Sequence, residues 1–134
     1  MVELILVTHG NLAAEMLATA AQILGKPAEG VKTLSVTTSS SVEQGAKELS
    51  KLLAAAENGA VVLTDIFGGS ATNIALTATK ECAQCHVITG LNLSMLLTAL
   101  NSRKKLAAKE LAEKIESDGK RAVINATELL IKGL

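Results

Sequence analysis

Along this chain, short unbroken apolar runs alternate with longer stretches whose apolar positions recur every three or four residues, with turn residues between them. Unbroken runs suit strands buried on both faces, and the helical period suits helices laid over them. Glu3 to Thr8 reads as a buried first strand. Asn11 to Leu24 then places Ala13, Met16, Leu17, Ala20 and Leu24 on one helical face, and Gly25-Lys26-Pro27 stops it. Val31 to Val36 is a second strand. Ser41 and Gln44 have the spacing of a capping box, and the helix they open buries Val42, Ala46, Leu49, Leu53 and Ala56 before Asn58-Gly59 ends it. Ala60 to Asp65 is the clearest central strand. Gly68-Gly69-Ser70 leads into a third helix reaching Glu81, and Cys85 to Thr89 is a fourth strand. Helices are expected near Leu93 to Leu100 and Leu106 to Ser117, after which Asp118-Gly119 turns the chain into a fifth strand, Arg121 to Asn125.

This alternation predicts an α/β fold: a doubly wound, mostly parallel sheet of about five strands flanked by helices, with the parallel strands in the order 2-1-3-4. With no internal repeat, low-complexity tract or linker, residues 1–134 read as a single domain. Ligands of such sheets bind beyond the carboxyl ends of the strands, where the strand order reverses. Here that point lies between strands one and three. The residues just past them are Thr8-His9-Gly10 and Asp65-Ile66-Phe67-Gly68-Gly69-Ser70.

The fold thus brings an imidazole and a carboxylate together over a glycine-rich turn. With an ordinary pKa of about 6.5, histidine offers a neutral ring with one nucleophilic nitrogen near neutral pH. A carboxylate on the other nitrogen fixes the tautomer and stabilises the cationic ring formed by attack on phosphorus. His9 and Asp65 are the candidates for these catalytic roles. Gly68 and Gly69 let backbone N–H groups approach an anion, the helix that follows offers its positive end, and Ser70 adds a hydroxyl. Each signal alone has a bland reading: a polar strand end, a loop cap, a common turn. Their placement on neighbouring strands favours chemistry. His86 starts a strand away from this edge and reads as structural.

Composition narrows the choice. Hydrophobic residues make up 49% of the chain, yet Phe67 is its one aromatic residue, so the core must be built from Ala, Leu, Val and Ile. Thirteen basic side chains balance thirteen acidic ones, which argues against nucleic acid as a partner. Lys104-Lys105 reads as a solvated basic spot. Met1 to Val7 is too short and lacks the basic start of a targeting segment, so a cytoplasmic location is expected. Cys82 and Cys85 are spaced as a redox motif or half a metal site, but they fall where a helix ends rather than begins, and only His86 is near. They read as packing residues; no metal and no cofactor are expected. No G-x-x-x-x-G-K-[ST] loop for nucleotide is present.

At these residues the sequence resembles the enzyme IIA component of the mannose/sorbose family of the bacterial sugar phosphotransferase system (PTS). The matching segments are L-I-L-V-T-H-G-N-L-A at 4–13, V-V-L-T-D-I-F-G-G-S-A-T-N at 61–73 and I-T-G-L-N-L-S-M-L at 88–96. The resemblance implies a phosphohistidine carrier: His9 phosphorylated, Asp65 hydrogen-bonded to it, and Gly68, Gly69 and Ser70 around the phosphoryl oxygens. It implies HPr as donor, enzyme IIB as acceptor, and the membrane components IIC and IID indirectly. It also implies a homodimer that exchanges its last strand, here the antiparallel segment around Arg121 to Asn125. Two departures stand out: Ala71 and Ser94 replace prolines common in the family, which bears on partner fit more than on chemistry.

Rival readings differ at the site. A receiver domain needs an acidic pair where this chain has Thr8-His9. A histidine phosphatase needs arginines near the histidine, and Arg103 and Arg121 lie elsewhere. A phosphocarrier of the dihydroxyacetone kinase system is nearer, but commonly has His-Ser in place of His9-Gly10 and lacks F-G-G-S. A non-catalytic regulatory module remains an alternative.

Overall fold

The computed structural model describes residues 1–133. Its elements are β1 (Glu3–His9), α1 (Leu12–Leu24), β2 (Lys32–Val36), α2 (Val42–Leu53), β3 (Ala60–Thr64), α3 (Ser70–Thr79), β4 (Cys85–Ile88), α4 (Leu93–Ser102), α5 (Ala108–Arg121) and α6 (Ala126–Ile131). The strands form one parallel sheet in the order β2-β1-β3-β4. This is the expected doubly wound arrangement.

Both faces of the sheet are covered, which is why the central strands lack polar alternation. Leu4, Leu6, Val61 and Leu63 point into one layer, packed against Ala13 and Ala20 of α1, Met95, Leu96 and Ala99 of α4, and Leu111 and Ile115 of α5. The intervening residues Ile5, Val7 and Val62 meet Leu49 of α2 and Ala71, Ile74 and Ala75 of α3. Small side chains let the layers approach closely. A Cβ on Gly45 of α2 would lie 2.5 Å from Cδ1 of Ile74 in α3, so glycine is what allows that crossing. The predicted cap is in place: Ser41 Oγ accepts the Gln44 N–H at 3.0 Å.

Two expectations need correction. No fifth strand forms among the described residues; α5 runs straight through Asp118-Gly119 to Arg121, and the short α6 follows. Asp118 is held inside the helix by Thr98 Oγ1 at 2.7 Å, Arg121 Nη2 at 2.8 Å and Lys114 Nζ at 3.5 Å. Gly119 is not a turn residue here but a point of close contact, since a Cβ would collide with Cγ of Met95 in α4. Asn125 caps α6 through the Glu128 N–H at 3.1 Å. The second correction concerns Cys82 and Cys85, read as packing residues: they are joined as a disulfide across the turn into β4.

Candidate functional site

The register sets the site. Val7 of β1 pairs with Thr64, the last residue of β3, so Asp65 leaves the sheet beside Thr8 and His9, which stay paired with Ser35 and Val36 of β2. His9 Nδ1 and Asp65 Oδ2 stand 2.9 Å apart, and the same oxygen accepts the His9 backbone N–H at 2.9 Å. Asp65 Oδ1 accepts the Ile66 N–H, also at 2.9 Å. The carboxylate is therefore anchored on both oxygens. Its side chain is only 11% exposed while that of His9 is 48% exposed, so the ring faces solvent from a sheltered support.

Each flanking turn is tied down. Thr8 Oγ1, fully buried, accepts the Ala13 N–H at 3.0 Å and so serves α1, whose own N-cap Asn11 makes no side-chain cap. Gly10 adopts φ +54°, a conformation that favours glycine. Its N–H donates to Val36 O at 3.0 Å and its carbonyl accepts from Ser35 Oγ at 2.6 Å, linking the turn to β2. In the second turn, Thr72 Oγ1 donates to Ile66 O at 2.6 Å and lies 2.8 Å from Thr64 Oγ1. The hydroxyl pair bolts the loop to the end of β3.

The glycine turn lies beside the ring. A Cβ on Gly69 would sit 3.3 Å from His9 Cε1, a tight contact that glycine avoids while its backbone lies against the imidazole. Gly68 has φ +82° and open space around it. Ser70 begins α3, whose first turn no side chain caps. The structure thus brings all five expected site residues to one edge of the sheet. Sequence reasoning overlooked the holding roles of Thr8 and Thr72, for which a threonine inside an apolar motif was the available signal, and that of Ser35, an exposed serine that no local pattern marks. It also overlooked where the single aromatic residue goes: Phe67 is 79% exposed beside the site, next to Ile66 at 59%. Among the described residues, no group of three His, Cys, Asp or Glu side chains converges to hold a metal ion.

Burial raises the pKa of Asp65, but the hydrogen bonds from the His9 backbone and ring, the His9 charge and the Ile66 N–H outweigh it, and the net shift is downward. The folded pKa thus lies below the unfolded one. The carboxylate contributes stability above the unfolded value of about 3.9, and that contribution is lost as pH falls through the folded value. A carbon-detected NMR titration is expected to place the Asp65 midpoint below that of an unstructured aspartate; a midpoint at or above it contradicts the anchoring described.

A comparison with curated protein sequences gives no match. The sequence model of the family described as the PTS system fructose IIA component matches residues 3–116. Among solved structures, the chain is similar to the phosphotransferase system component EIIA from Streptococcus agalactiae, with 26% identity, TM-score 0.86, and 96% of this chain and 99% of that one covered. It is also similar to the mannose/sorbose specific IIA subunit from Enterococcus faecalis, with 31% identity, TM-score 0.83, and 92% and 93% covered. A third is the PTS IIA protein associated with the fucose utilization operon of Streptococcus pneumoniae, at 25% identity and TM-score 0.78, covering 97% and 99%. With a family match over most of its length and a fold shared over more than nine-tenths of it, this chain belongs to the mannose/fructose family of PTS enzyme IIA components.

Proposed function

We propose that the chain carries a phosphoryl group on His9, received from HPr and passed to an enzyme IIB for sugar uptake. The observation that supports this most is the 2.9 Å approach of His9 Nδ1 to Asp65 Oδ2. With the Nδ1 proton donated to the carboxylate, the lone pair is on Nε2, the nitrogen not held by Asp65. Nε2 attacks the phosphorus, its bond to phosphorus forms as the donor's phosphorus–nitrogen bond breaks, and Asp65 stabilises the charged ring. The return step uses the same geometry with the acceptor's nucleophile. Such a loose transition state needs positioning and charge stabilisation. The N–H groups around Gly68 and Gly69 and the Ser70 hydroxyl supply both to the phosphoryl oxygens.

Exposed Phe67 and Ile66 support docking of a protein beside His9, since an exposed aromatic next to a reactive group is a contact for a partner rather than core. At the other end of the chain Val123, Ile124, Leu130 and Ile131 are also exposed, which supports a homodimer that covers them. Membership of the IIA family supports a cytoplasmic carrier that acts with separate membrane components; among the described residues no helix is long and apolar enough to cross a membrane.

The test is to charge the full chain with phosphoenolpyruvate, enzyme I and HPr and to locate the phosphate by mass spectrometry under alkaline conditions. A single acid-labile phosphate on His9 is the expected result. No labile phosphate, or one placed on His86, overturns the assignment.

A further inference from the structure

Two buried hydroxyls hold the glycine turn from inside. Thr64, fully buried, closes β3, and Thr72, 1% exposed, stands in the first turn of α3. A threonine hydroxyl has one proton to give. Thr72 gives its own to Ile66 O at 2.6 Å, so Thr64 is the donor in the 2.8 Å contact between the two hydroxyls. The chain of donors therefore runs from Thr64 to Thr72 to the Ile66 carbonyl. The Ile66 N–H is held in turn by Asp65 Oδ1 at 2.9 Å. Both backbone polar groups of Ile66 are clamped.

The same carbonyl receives a second donor, the Gly69 N–H, at 3.4 Å. Closing a four-residue turn is the ordinary task of such an N–H, over a distance of about 2.9–3.0 Å. A carbonyl oxygen can accept two donors, but here the hydroxyl sets where that oxygen lies, and it lies short of Gly69. The Gly69 N–H is thus only weakly engaged within the protein. Its residue also lies beside the ring, since a Cβ there would be 3.3 Å from His9 Cε1, the carbon bonded to Nε2.

We propose that Thr72 is a positioning residue for phosphoryl transfer: by holding the Ile66 carbonyl, it leaves the Gly69 N–H ready to bond a phosphoryl oxygen on His9 Nε2. The inference rests on the reading of His9 as the phosphorylated residue. Thr72 itself is buried and touches neither the phosphoryl group nor a partner. Without its hydroxyl, the Ile66 carbonyl relaxes onto the Gly69 N–H, the turn closes, and the phosphoryl group loses that donor. A preorganised donor stabilises charge in the transition state because no other bond has to be given up to reach it.

The sign of one measurement separates this role from that of a structural bolt. In unphosphorylated, isotope-labelled Thr72→Val, solvent exchange of the Gly69 amide is expected to slow about threefold or more, because its turn bond shortens. A bolt alone predicts a looser loop and faster exchange; faster or unchanged exchange overturns the proposal. In rapid-quench measurements Thr72→Val is expected to slow transfer from phosphorylated HPr about tenfold or more, with the half-saturating HPr concentration unchanged. Thr72→Ser keeps the donor and is expected to restore both readouts. Thr64→Val with Thr72→Val leaves neither hydroxyl buried without a partner, guards against misfolding of the single variant, and is expected to match it. A parental transfer rate in the valine variants, or a serine variant as slow as they are, overturns this inference alone. A parent chain that takes no label on His9 overturns the relay and this inference with it.

Discussion

His9→Ala is expected to give a folded protein that takes up no phosphoryl label from phosphoenolpyruvate, enzyme I and HPr. The side chain is half exposed, and its removal opens no cavity in either core layer. Asp65 keeps the His9 backbone N–H and the Ile66 N–H as donors, because alanine at position 9 retains the first of these. A surface-side truncation that leaves such an anchor intact falls within about 1 kcal/mol of the parent in stability. A denaturation midpoint close to that of the parent, together with complete loss of acid-labile label, is therefore the predicted pair of outcomes. Undiminished labelling would move the phosphate to another residue and remove the basis of the proposed relay.

The second large effect concerns Asp65. Replacing it with alanine strips the acceptor from two backbone N–H groups and from the His9 ring at once. The ring is then free to take either tautomer and to rotate, and the charged state formed during transfer loses its counter-ion. Loss of the orienting carboxylate in a comparable acid–base constellation costs up to about 10⁴-fold in rate, so a fall of about 10²- to 10⁴-fold is expected in rapid-quench measurements of transfer from phosphorylated HPr. Asp65→Asn separates charge from shape. It preserves the side-chain volume but cannot accept on both of its terminal atoms, so the Ile66 N–H or the His9 donors lose their partner. Slow transfer in a protein with near-parental stability assigns the effect to the carboxylate's charge and second acceptor oxygen rather than to its shape. An unchanged rate in either variant takes Asp65 out of the mechanism.

Much of this architecture was legible in the sequence because it is written in local pattern. Ala60 to Leu63 is an unbroken apolar run, and such a run buries both faces wherever it sits. The Ser41–Gln44 spacing specifies its own hydrogen bond across one turn. The alternation of element types pointed to a doubly wound sheet, and the order 2-1-3-4, one of the common orders of that class, placed His9 and Asp65 on one edge although 56 residues separate them. What failed were inferences that treated a dipeptide as sufficient. Asp118-Gly119 has the composition of a turn, but Thr98, Lys114 and Arg121 hold the aspartate within α5, and the glycine is required by Met95 on another helix. The Lys114 and Arg121 pairs are local, four residues before and three after position 118, but nothing near it signals Thr98 and Met95 on another helix.

What the sequence determined by itself is the set of elements, their covering of both sheet faces, and which two turns share the carboxyl edge. These depend on periods of two to four residues and on rules of chain connection, both of which operate within a short window. Only the tertiary structure decided that Thr72 and Thr64 bolt the loop, that Gly69 lies against the His9 ring, that Phe67 is spent on the surface, and that Arg103 is buried with a free donor at the opposite rim. Gly69 meets His9 from sixty residues away, Thr64 and Thr72 meet across a loop, and the exposure of Phe67 and the burial of Arg103 depend on how the rest of the chain packs. All four rest on burial and on distances of a few ångströms that no local pattern encodes.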